Sequence, residues 1–181
     1  YLVVFDDLHT PFELQCDPQN TIHLATEPPS FHHYAEPFLS QFAWAVTQDK
    51  GVKHPGVIYR QPGMAWFLGW NPASASDCSV LSFEELEKLF DLPKTKLISV
   101  IASSKTVTSG HAKRLRFAKK LKQHYGAQID FYGRGFKPMD DKLEALQDYR
   151  FNVVLENSSF DDYFSEKFTD CVIAGAYPLY H

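Results

Sequence analysis

The sequence has few cysteines, no long apolar run and no excess of basic charge. Its three cysteines, Cys16, Cys78 and Cys171, lie far apart and form no C-x-x-C pair. This spacing argues against a structural zinc site and against a disulfide framework, and it favours a reducing environment. No apolar stretch approaches the roughly 20 residues of a transmembrane helix, and no secretory signal is visible.

The charge and the composition exclude further classes of protein. A formal net charge of −4 provides no overall basic field of the kind that nucleic-acid-binding proteins carry, so no nucleic-acid partner is expected. Hydrophobic residues make up 44 % and charged residues 22 %, which indicates a globular chain with a sizeable core. A local basic segment at 105–122 could attract a phosphate-bearing ligand, although most of its lysines fit the solvated face of a helix.

The second half of the chain alternates between strand and helix patterns. Ser82 and Glu85 form a capping box before an apolar helical stripe of Phe83, Leu86, Leu89 and Phe90. Strand patterns follow at 96–103, 128–133, 151–156 and 176–180, and helix patterns lie between them at 110–126, 140–148 and 163–175. This alternation predicts an α/β fold in which right-handed crossovers build a doubly wound parallel sheet.

The first half is less regular and predicts a smaller α/β unit. Strand patterns occur at 2–5 and 21–27, while 36–46 fits either a helix or a strand, and 60–79 is a turn-rich connection. We therefore expect a smaller α/β unit at 1–75 and a Rossmann-like unit at 76–181. Because Tyr1 opens within one strand pattern and His181 closes within another, the chain is expected to be an excised piece, truncated at both ends.

Three loops of the second unit are candidates for a ligand site. In open parallel sheets, ligands bind beyond the carboxyl ends of strands and at helix N-termini, which here means 103–110, 133–138 and 156–165. Their hydroxyls, glycines and cations suit a nucleotide diphosphate, although no Walker loop and no G-x-G-x-x-G motif is present. The positive charge of Lys167 lies in the first turn of its helix, at the positive end of the helix dipole. This arrangement is unfavourable without an anion nearby, so it indicates one. The alternatives are a surface pair of Lys167 with Asp161 or Asp170, and simple dipole complementation by Glu166.

Several motifs resemble those of one enzyme family. The segment 149–180, YRFNVVLENSSFDDYFSEKFTDCVIAGAYPLY, resembles the hallmark of the α1,3-fucosyltransferases, glycosyltransferase family ten. The stretch VIASSK…RLRFAKKLKQHYGAQIDFYGRG and the segment YLVVFDDL…TIHLATEPPSFHHY, with its E-x-P sequence, are similar to two other parts of that family. Ser104 stands where the family usually has asparagine. The resemblance covers nearly the whole chain and is most specific from Ile98 to Tyr180.

The resemblance implies a GT-B-type fold in which the second domain holds most of GDP-fucose. By position, it assigns Arg114 and Lys167 to the diphosphate, Tyr163 to the guanosine side and Glu166 to the ribose. It places Glu27 as the general base, with no metal and no cofactor, because the two cations would neutralise the leaving diphosphate. The same donor pocket would be lined by Glu156, Asn157 and Ser158.

The expected function is therefore an inverting α1,3-type transfer of fucose from GDP-fucose to a hydroxyl of an N-acetylglucosamine or glucose unit in a glycan. The alternatives are a related transferase that uses another nucleotide sugar, and a nucleotide-sugar-binding or lectin-like module without turnover. The expected location is cytoplasmic or membrane-associated in a bacterium and the Golgi in a eukaryote. Membrane association of a parent protein stays open, although this chain shows no transmembrane segment.

Overall fold

The computed structural model describes residues 1–8, 10–70 and 80–181. The chain divides into two compact units: unit 1 comprises Tyr1–Met64 with Ser158–Phe164, and unit 2 comprises Ala65–Asn157 with Ser165–His181. The expected boundary at 75/76 and Cys78 lie outside the described residues, so the expected domain limits stay a prediction. Within the described residues, every helix is too short or too polar to cross a membrane.

Unit 1 contains a four-stranded parallel sheet in sequential order. Its strands are β1 (Leu2–Phe5), β2 (Thr21–Leu24), β3 (Trp44–Thr47) and β4 (Val57–Tyr59). The segment 36–46, predicted as one helix or one strand, is divided into a short helix, α1 (Glu36–Leu39), and the start of β3. A 3-10 helix, Pro18–Asn20, precedes β2.

The interior of unit 1 is aromatic and is centred on His23. This residue is fully buried on β2, and its ring lies 4.7 to 5.3 Å from the rings of Tyr34, Phe38 and Phe42. Its Nε2 lies 2.9 Å from the carbonyl oxygen of Asp6, at the end of β1. Burial lowers the pKa of His23 despite the nearby carboxylates, so the imidazole is neutral and its Nε2–H donates to Asp6.

Unit 2 contains a second four-stranded parallel sheet, with strands β5 (Lys96–Ile101), β6 (Asp130–Tyr132), β7 (Tyr149–Val154) and β8 (Tyr177–Tyr180). The strand order is β6-β5-β7-β8. The chain order reverses at β5, which pairs with β6 on one side and with β7 on the other. In open α/β sheets, ligands bind beyond the carboxyl ends of the strands at such a reversal. The predicted α/β class with parallel strands is thus confirmed.

Three α-helices belong to unit 2: α2 (Phe83–Glu87), α3 (Ser109–Tyr125) and α4 (Glu166–Ile173). The capping box predicted at Ser82 and Glu85 is present at the start of α2. The helix predicted at 140–148 is wrong, because the segment forms only a 3-10 helix, Lys142–Ala145. The next strand begins at Tyr149, two residues before its predicted start.

Of the three apolar clusters in the described part of unit 2, two include residues of its α-helices. One joins Leu86 and Leu89 at α2 to Cys171 of α4, and the other joins Ala118 of α3 to Val100 of β5. The predicted apolar faces were only partly right. At α2, Phe83 and Phe90 are exposed, and at α4, Val172 is exposed as well, because short helices bury a narrow stripe rather than the whole apolar set.

Candidate functional site

The first turns of α3 and α4 follow the carboxyl ends of β5 and β7, and each is capped by a side-chain hydroxyl. Thr108 Oγ1 accepts a hydrogen bond of 3.3 Å from the backbone N–H of His111, and Ser165 Oγ accepts one of 3.4 Å from Lys167. Such caps fix the direction of the free N–H groups at a helix start. Both helices therefore present the positive ends of their dipoles at the same edge of the sheet.

Gly110 allows α3 to pack directly against the chain that leaves β7. A Cβ atom at position 110 would lie 1.7 Å from the carbonyl oxygen of Asn157, a distance that no side chain tolerates. The glycine is thus required by a close backbone approach rather than by its own dihedral angles. The side-chain Oδ1 of Asn157, beside this contact, is buried and has no hydrogen-bond partner within the described part of the chain.

Arg114 lies on the buried face of α3 and is only 8 % exposed. The sequence predicts an apolar stripe of Leu115, Ala118, Leu121, Lys122 and Tyr125 on α3. Of these only Ala118 is buried, and the other buried residues of the helix are His111 and Arg114. Burial lowers the pKa of the guanidinium, although the charges of Glu156 and Glu166 oppose this. An arginine stays protonated at this cost, so its buried charge needs an anion. Its Nε has no hydrogen-bond partner among the described residues.

Lys167 pairs with two glutamates of its own site. Its Nζ lies 3.2 Å from Glu166 Oε1, 3.8 Å from Glu156 Oε2 and 3.0 Å from Ser165 Oγ. The alternative partners predicted from the sequence are wrong, because Asp161 pairs with Lys50 and Asp170 with Lys142. The structure therefore brings Arg114, Glu156, Glu166 and Lys167 together, as the candidate site requires.

Glu156 holds the start of α4 in place. Its carboxylate accepts hydrogen bonds from the backbone N–H of Ser165 at 2.9 Å, from Ser165 Oγ at 2.7 Å and from Tyr180 Oη at 3.3 Å. Its side chain is only 4 % exposed. These protein donors occupy its oxygens, so the geometry indicates that Glu156 orients α4 and Lys167. Direct contact with a ligand stays a prediction for this residue.

Lys142 is a site residue that the sequence did not reveal. Its Nζ lies 3.4 Å from Glu166 Oε1 and 2.5 Å from Asp170 Oδ2. Asp170 is 1 % exposed, and its other oxygen accepts a hydrogen bond of 2.8 Å from the backbone N–H of Phe67. Burial alone would raise the pKa of Glu166, but Lys167 and Lys142 together hold it below its ordinary value. Glu166 is therefore ionised at neutral pH and able to accept hydrogen bonds.

His111 is a second residue that the sequence did not reveal. It is buried in the first turn of α3, and its Nδ1 lies 2.7 Å from Thr108 Oγ1. Burial lowers its pKa, and Arg114, Lys167 and Lys105 add to the effect. Thr108 Oγ1 therefore contacts both the first turn of α3 and the imidazole ring, which holds His111 at the start of the helix. The lowered pKa favours the neutral ring.

Two residues predicted for the same pocket belong to the other unit. Ser158 and Tyr163 lie in the segment Ser158–Phe164 of unit 1. Ser158 Oγ is 2.8 Å from Ser30 Oγ, and the ring of Tyr163 is 4.7 Å from that of Phe160. Their role toward a ligand stays a prediction.

Glu27 follows β2 in unit 1, as its position after an apolar strand predicts. It is exposed, and its backbone N–H lies 3.3 Å from Asp6 Oδ1. The following chain turns at once, because the N–H groups of Phe31 and His32 donate to the carbonyl oxygen of Pro28 at 2.8 and 3.0 Å. Glu27 therefore sits on a short, ordered loop between a strand and a proline turn.

No group of three His, Cys, Asp or Glu side chains in the described ranges is close enough to hold a metal ion. Three histidines of unit 1 could suggest a metal site, but their spacing in the sequence does not match a ligand set, and each has a protein neighbour. His32 lies 3.0 Å from Asp7 Oδ2, His33 lies 3.8 Å from Asp49 Oδ2, and His54 Nε2 lies 3.1 Å from the carbonyl oxygen of Phe42.

Comparisons with known proteins find similarity to fucosyltransferases in the second half of the chain. Residues 92–180 match the family model described as glycosyltransferase family 10 (fucosyltransferase) C-term. A fucosyltransferase-like protein of Arabidopsis thaliana is 40 % identical over 55 residues, which cover 29 % of this chain and 11 % of that relative. The 3-galactosyl-N-acetylglucosaminide 4-alpha-L-fucosyltransferase of Bos taurus is 38 % identical over 76 residues, 41 % of this chain and 20 % of the relative.

A human relative adds a different linkage. The 4-galactosyl-N-acetylglucosaminide 3-alpha-L-fucosyltransferase of Homo sapiens is 34 % identical over 76 residues, again 41 % of this chain and 20 % of the relative. The chain thus spans at most a fifth of the length of these curated relatives.

Proposed function

We propose that the protein is an inverting glycosyltransferase that takes fucose from GDP-fucose, and the match of residues 92–180 to the model of glycosyltransferase family 10 (fucosyltransferase) C-term supports this proposal. The proposed acceptor is a hydroxyl of an N-acetylglucosamine or glucose unit in a glycan, with α1,3 linkage. The proposed fold is of the GT-B type, with a doubly wound sheet in unit 2. No metal, no cofactor and no nucleic acid takes part in this proposal.

The observation that carries the proposal is the unpartnered Nε of Arg114. A buried guanidinium normally finds hydrogen-bond acceptors in the protein, because a buried charge that lacks them is costly. Arg114 instead lies in the field of Glu156 and Glu166 without a hydrogen bond at Nε within the described residues. A diphosphate oxygen is a good acceptor for this group, because a guanidinium forms short, charge-assisted bonds with phosphate.

Lys167 and Glu166 complete the proposed donor site. Lys167 stands in the first turn of α4, where its charge and the helix dipole both favour an anion. Its weakest contact, the 3.8 Å pair with Glu156, is the one that a phosphate would replace. Glu166, ionised and held by Lys142, is proposed to accept hydrogen bonds from the ribose hydroxyls.

The proposed reaction breaks one bond and forms one. Glu27 removes the proton of the acceptor hydroxyl while the oxygen attacks the anomeric carbon of fucose, and the bond from that carbon to the β-phosphate oxygen of GDP breaks. The electron pair leaves with GDP, whose added charge Arg114 and Lys167 stabilise. Attack opposite to the leaving group inverts the anomeric configuration.

The linkage is a finer part of the proposal. The bovine relative is named for a 4-alpha and the human relative for a 3-alpha transfer, yet both match this chain over 76 residues. The matched stretch therefore does not separate the two linkages, and α1,3 transfer rests on the resemblance of the motifs. Location in a bacterial cytoplasm or membrane, or in the Golgi of a eukaryote, follows from the same proposal.

The proposal is tested by GDP release from GDP-fucose in the presence of an acceptor glycan. Glu27→Gln should lower turnover by about 100- to 10,000-fold with unchanged GDP affinity, because it removes a general base. Lys167→Ala should weaken GDP binding about 10-fold, the value of one charge-assisted hydrogen bond. Lys50→Ala serves as the matched control, since its side chain is paired with exposed Asp161.

Two results would favour the rival functions. Binding of GDP-fucose without any release of GDP would support a nucleotide-sugar-binding or lectin-like module. Tighter calorimetric binding of another nucleotide sugar, such as a uridine or adenosine diphosphate sugar, would support a related transferase with a different donor.

A further inference from the structure

Asp6 is the residue that orders the loop carrying Glu27. Its Oδ1 accepts a hydrogen bond of 2.7 Å from the backbone N–H of Thr26 and one of 3.3 Å from that of Glu27. Its Oδ2 accepts a bond of 2.5 Å from Thr26 Oγ1, and Tyr34 Oη donates a further bond to Oδ1. One carboxylate therefore fixes two consecutive backbone positions after β2.

The backbone of Asp6 is itself held from both sides. Its N–H donates to the carbonyl oxygen of Leu24 at 3.0 Å, and its own carbonyl oxygen accepts from His23 Nε2 at 2.9 Å. Its φ of 51° lies in the left-handed region, which aspartate and asparagine enter more readily than other residues with a side chain. This turn directs the carboxylate back across the sheet edge toward Thr26.

The partners of Asp6 are those of an ionised carboxylate. All four groups that bond it are donors, and burial alone would raise its pKa, yet these hydrogen bonds hold the pKa below the ordinary value. A protonated or amidated side chain would place a donor at this site, and of its four partners only the two hydroxyls, not the two backbone N–H groups, could turn to accept from it. The loop geometry thus depends on a fixed negative charge half-buried at the end of β1.

We propose that Asp6 is a positioning residue for the transfer reaction, and that it acts by holding Glu27 where a general base must stand. This inference rests on the proposed function, because Asp6 has a role in catalysis only if Glu27 is the general base. Catalysis by a general base depends steeply on its placement, so loosening its loop should reduce turnover rather than donor binding.

The experiment measures kcat, the acceptor KM and GDP affinity in the complete protein. Asp6→Asn keeps the size and the tolerance for a positive φ but exchanges one acceptor for a donor, so kcat should fall about 10-fold while GDP affinity is retained. Thr26→Val should also lower kcat, and Thr26→Ser, which keeps the hydroxyl, should restore it. Asp17→Asn is the matched control, because Asp17 likewise accepts a backbone N–H, that of Gln19 at 3.0 Å, in another loop of unit 1.

A double-mutant cycle separates positioning from general stability. If Asp6 acts through Glu27, the substitution Asp6→Asn should have almost no further effect in a Glu27→Gln background. An equal fall in kcat in both backgrounds, or an equal fall for Asp17→Asn, would overturn the inference and leave the proposed function intact. Full turnover by Glu27→Gln alone would instead reject Glu27 as the base and remove the role of Asp6 with it.

Discussion

Asp6 in unit 1 and Asp170 in unit 2 are acidic residues that need partners, and the two units supply different kinds. Asp6 accepts hydrogen bonds from neutral groups of Thr26, Glu27 and Tyr34, and the described residues provide it with no lysine or arginine partner. Asp170 is bonded by the ammonium group of Lys142, which also reaches Glu166. Neutral donors fix geometry, whereas a cation shared between carboxylates can change partners.

This difference fits the tasks proposed for the two units. In unit 2, Lys167 also balances two carboxylates, those of Glu156 and Glu166, and is proposed to turn toward a diphosphate, since its charge is needed in both states. A loop that carries a general base must instead keep one conformation, and hydrogen bonds from backbone and hydroxyl groups hold it there. The comparison therefore makes distinct predictions for substitutions in the two units.

The largest effect is expected at Asp170. Asp170→Ala removes the partner of Lys142 and leaves the buried N–H of Phe67 without an acceptor, so the free energy of unfolding should fall by about 3 kcal/mol. Asp148→Ala removes an exposed pair with Lys96, at 3.8 Å, and should cost less than about 0.5 kcal/mol. Chemical denaturation of both variants measures the difference. Equal losses would mean that the ion pair of Asp170 adds nothing beyond a surface pair.

The next effect concerns two arginines on α3. Arg114→Ala should weaken GDP binding by about 30-fold, because it removes a buried, charge-assisted contact to phosphate. Arg116→Ala alters an exposed side chain two residues away and should leave the affinity unchanged. Calorimetric titration with GDP tests both variants, with their melting temperatures recorded alongside. Equal affinities would contradict the donor site in unit 2.

The smallest effect concerns acid stability in unit 1. The pKa of Asp6 is depressed in the folded protein, so its contribution is present above the unfolded value of about 3.9 and is lost as pH falls through the folded pKa. Tyr34→Phe removes one donor and should raise that pKa, which moves the acid loss of stability to higher pH and reduces the contribution of Asp6 to the free energy of unfolding by less than about 1 kcal/mol. Tyr59→Phe is the control, since Tyr59 Oη bonds the carbonyl oxygen of Val52 instead.

An NMR titration of the Asp6 carboxyl gives the same test directly. Added salt should leave the Asp6 pKa nearly unchanged, because its partners are neutral, and it should shift that of Glu166, whose partners are lysines. A strong salt dependence of the Asp6 pKa would contradict the difference described between the two units.

The sequence predicted the strands of unit 2 and both capped helices that carry the site. These predictions succeeded because strand runs, caps and terminal glycines are local signals, as with Gly175, whose φ is 72° after α4. The segment 36–46 failed for the opposite reason, since Pro37 starts a short helix and Ser40 ends it within one apolar run. Periodicity over so few residues does not separate helix from strand.

The electrostatic partners of the site were not predictable. Lys142 and Glu166 are 24 residues apart in sequence, and only the docking of a 3-10 helix beside α4 brings them together. The buried face of α3 was also missed, because hydrophobic periodicity selects leucines, whereas this helix buries His111 and Arg114. Polar residues that are buried for a ligand violate the pattern by which sequences are interpreted.

Gly110 couples the start of α3 to the chain that follows β7. With the carbonyl of Asn157 in direct contact with its α-carbon, the chain after β7 has no clearance against α3. In the proposed donor site, a nucleotide that displaces residue 157 should displace Arg114 as well, so the contacts to the phosphates and to the rest of the donor should tighten or loosen together.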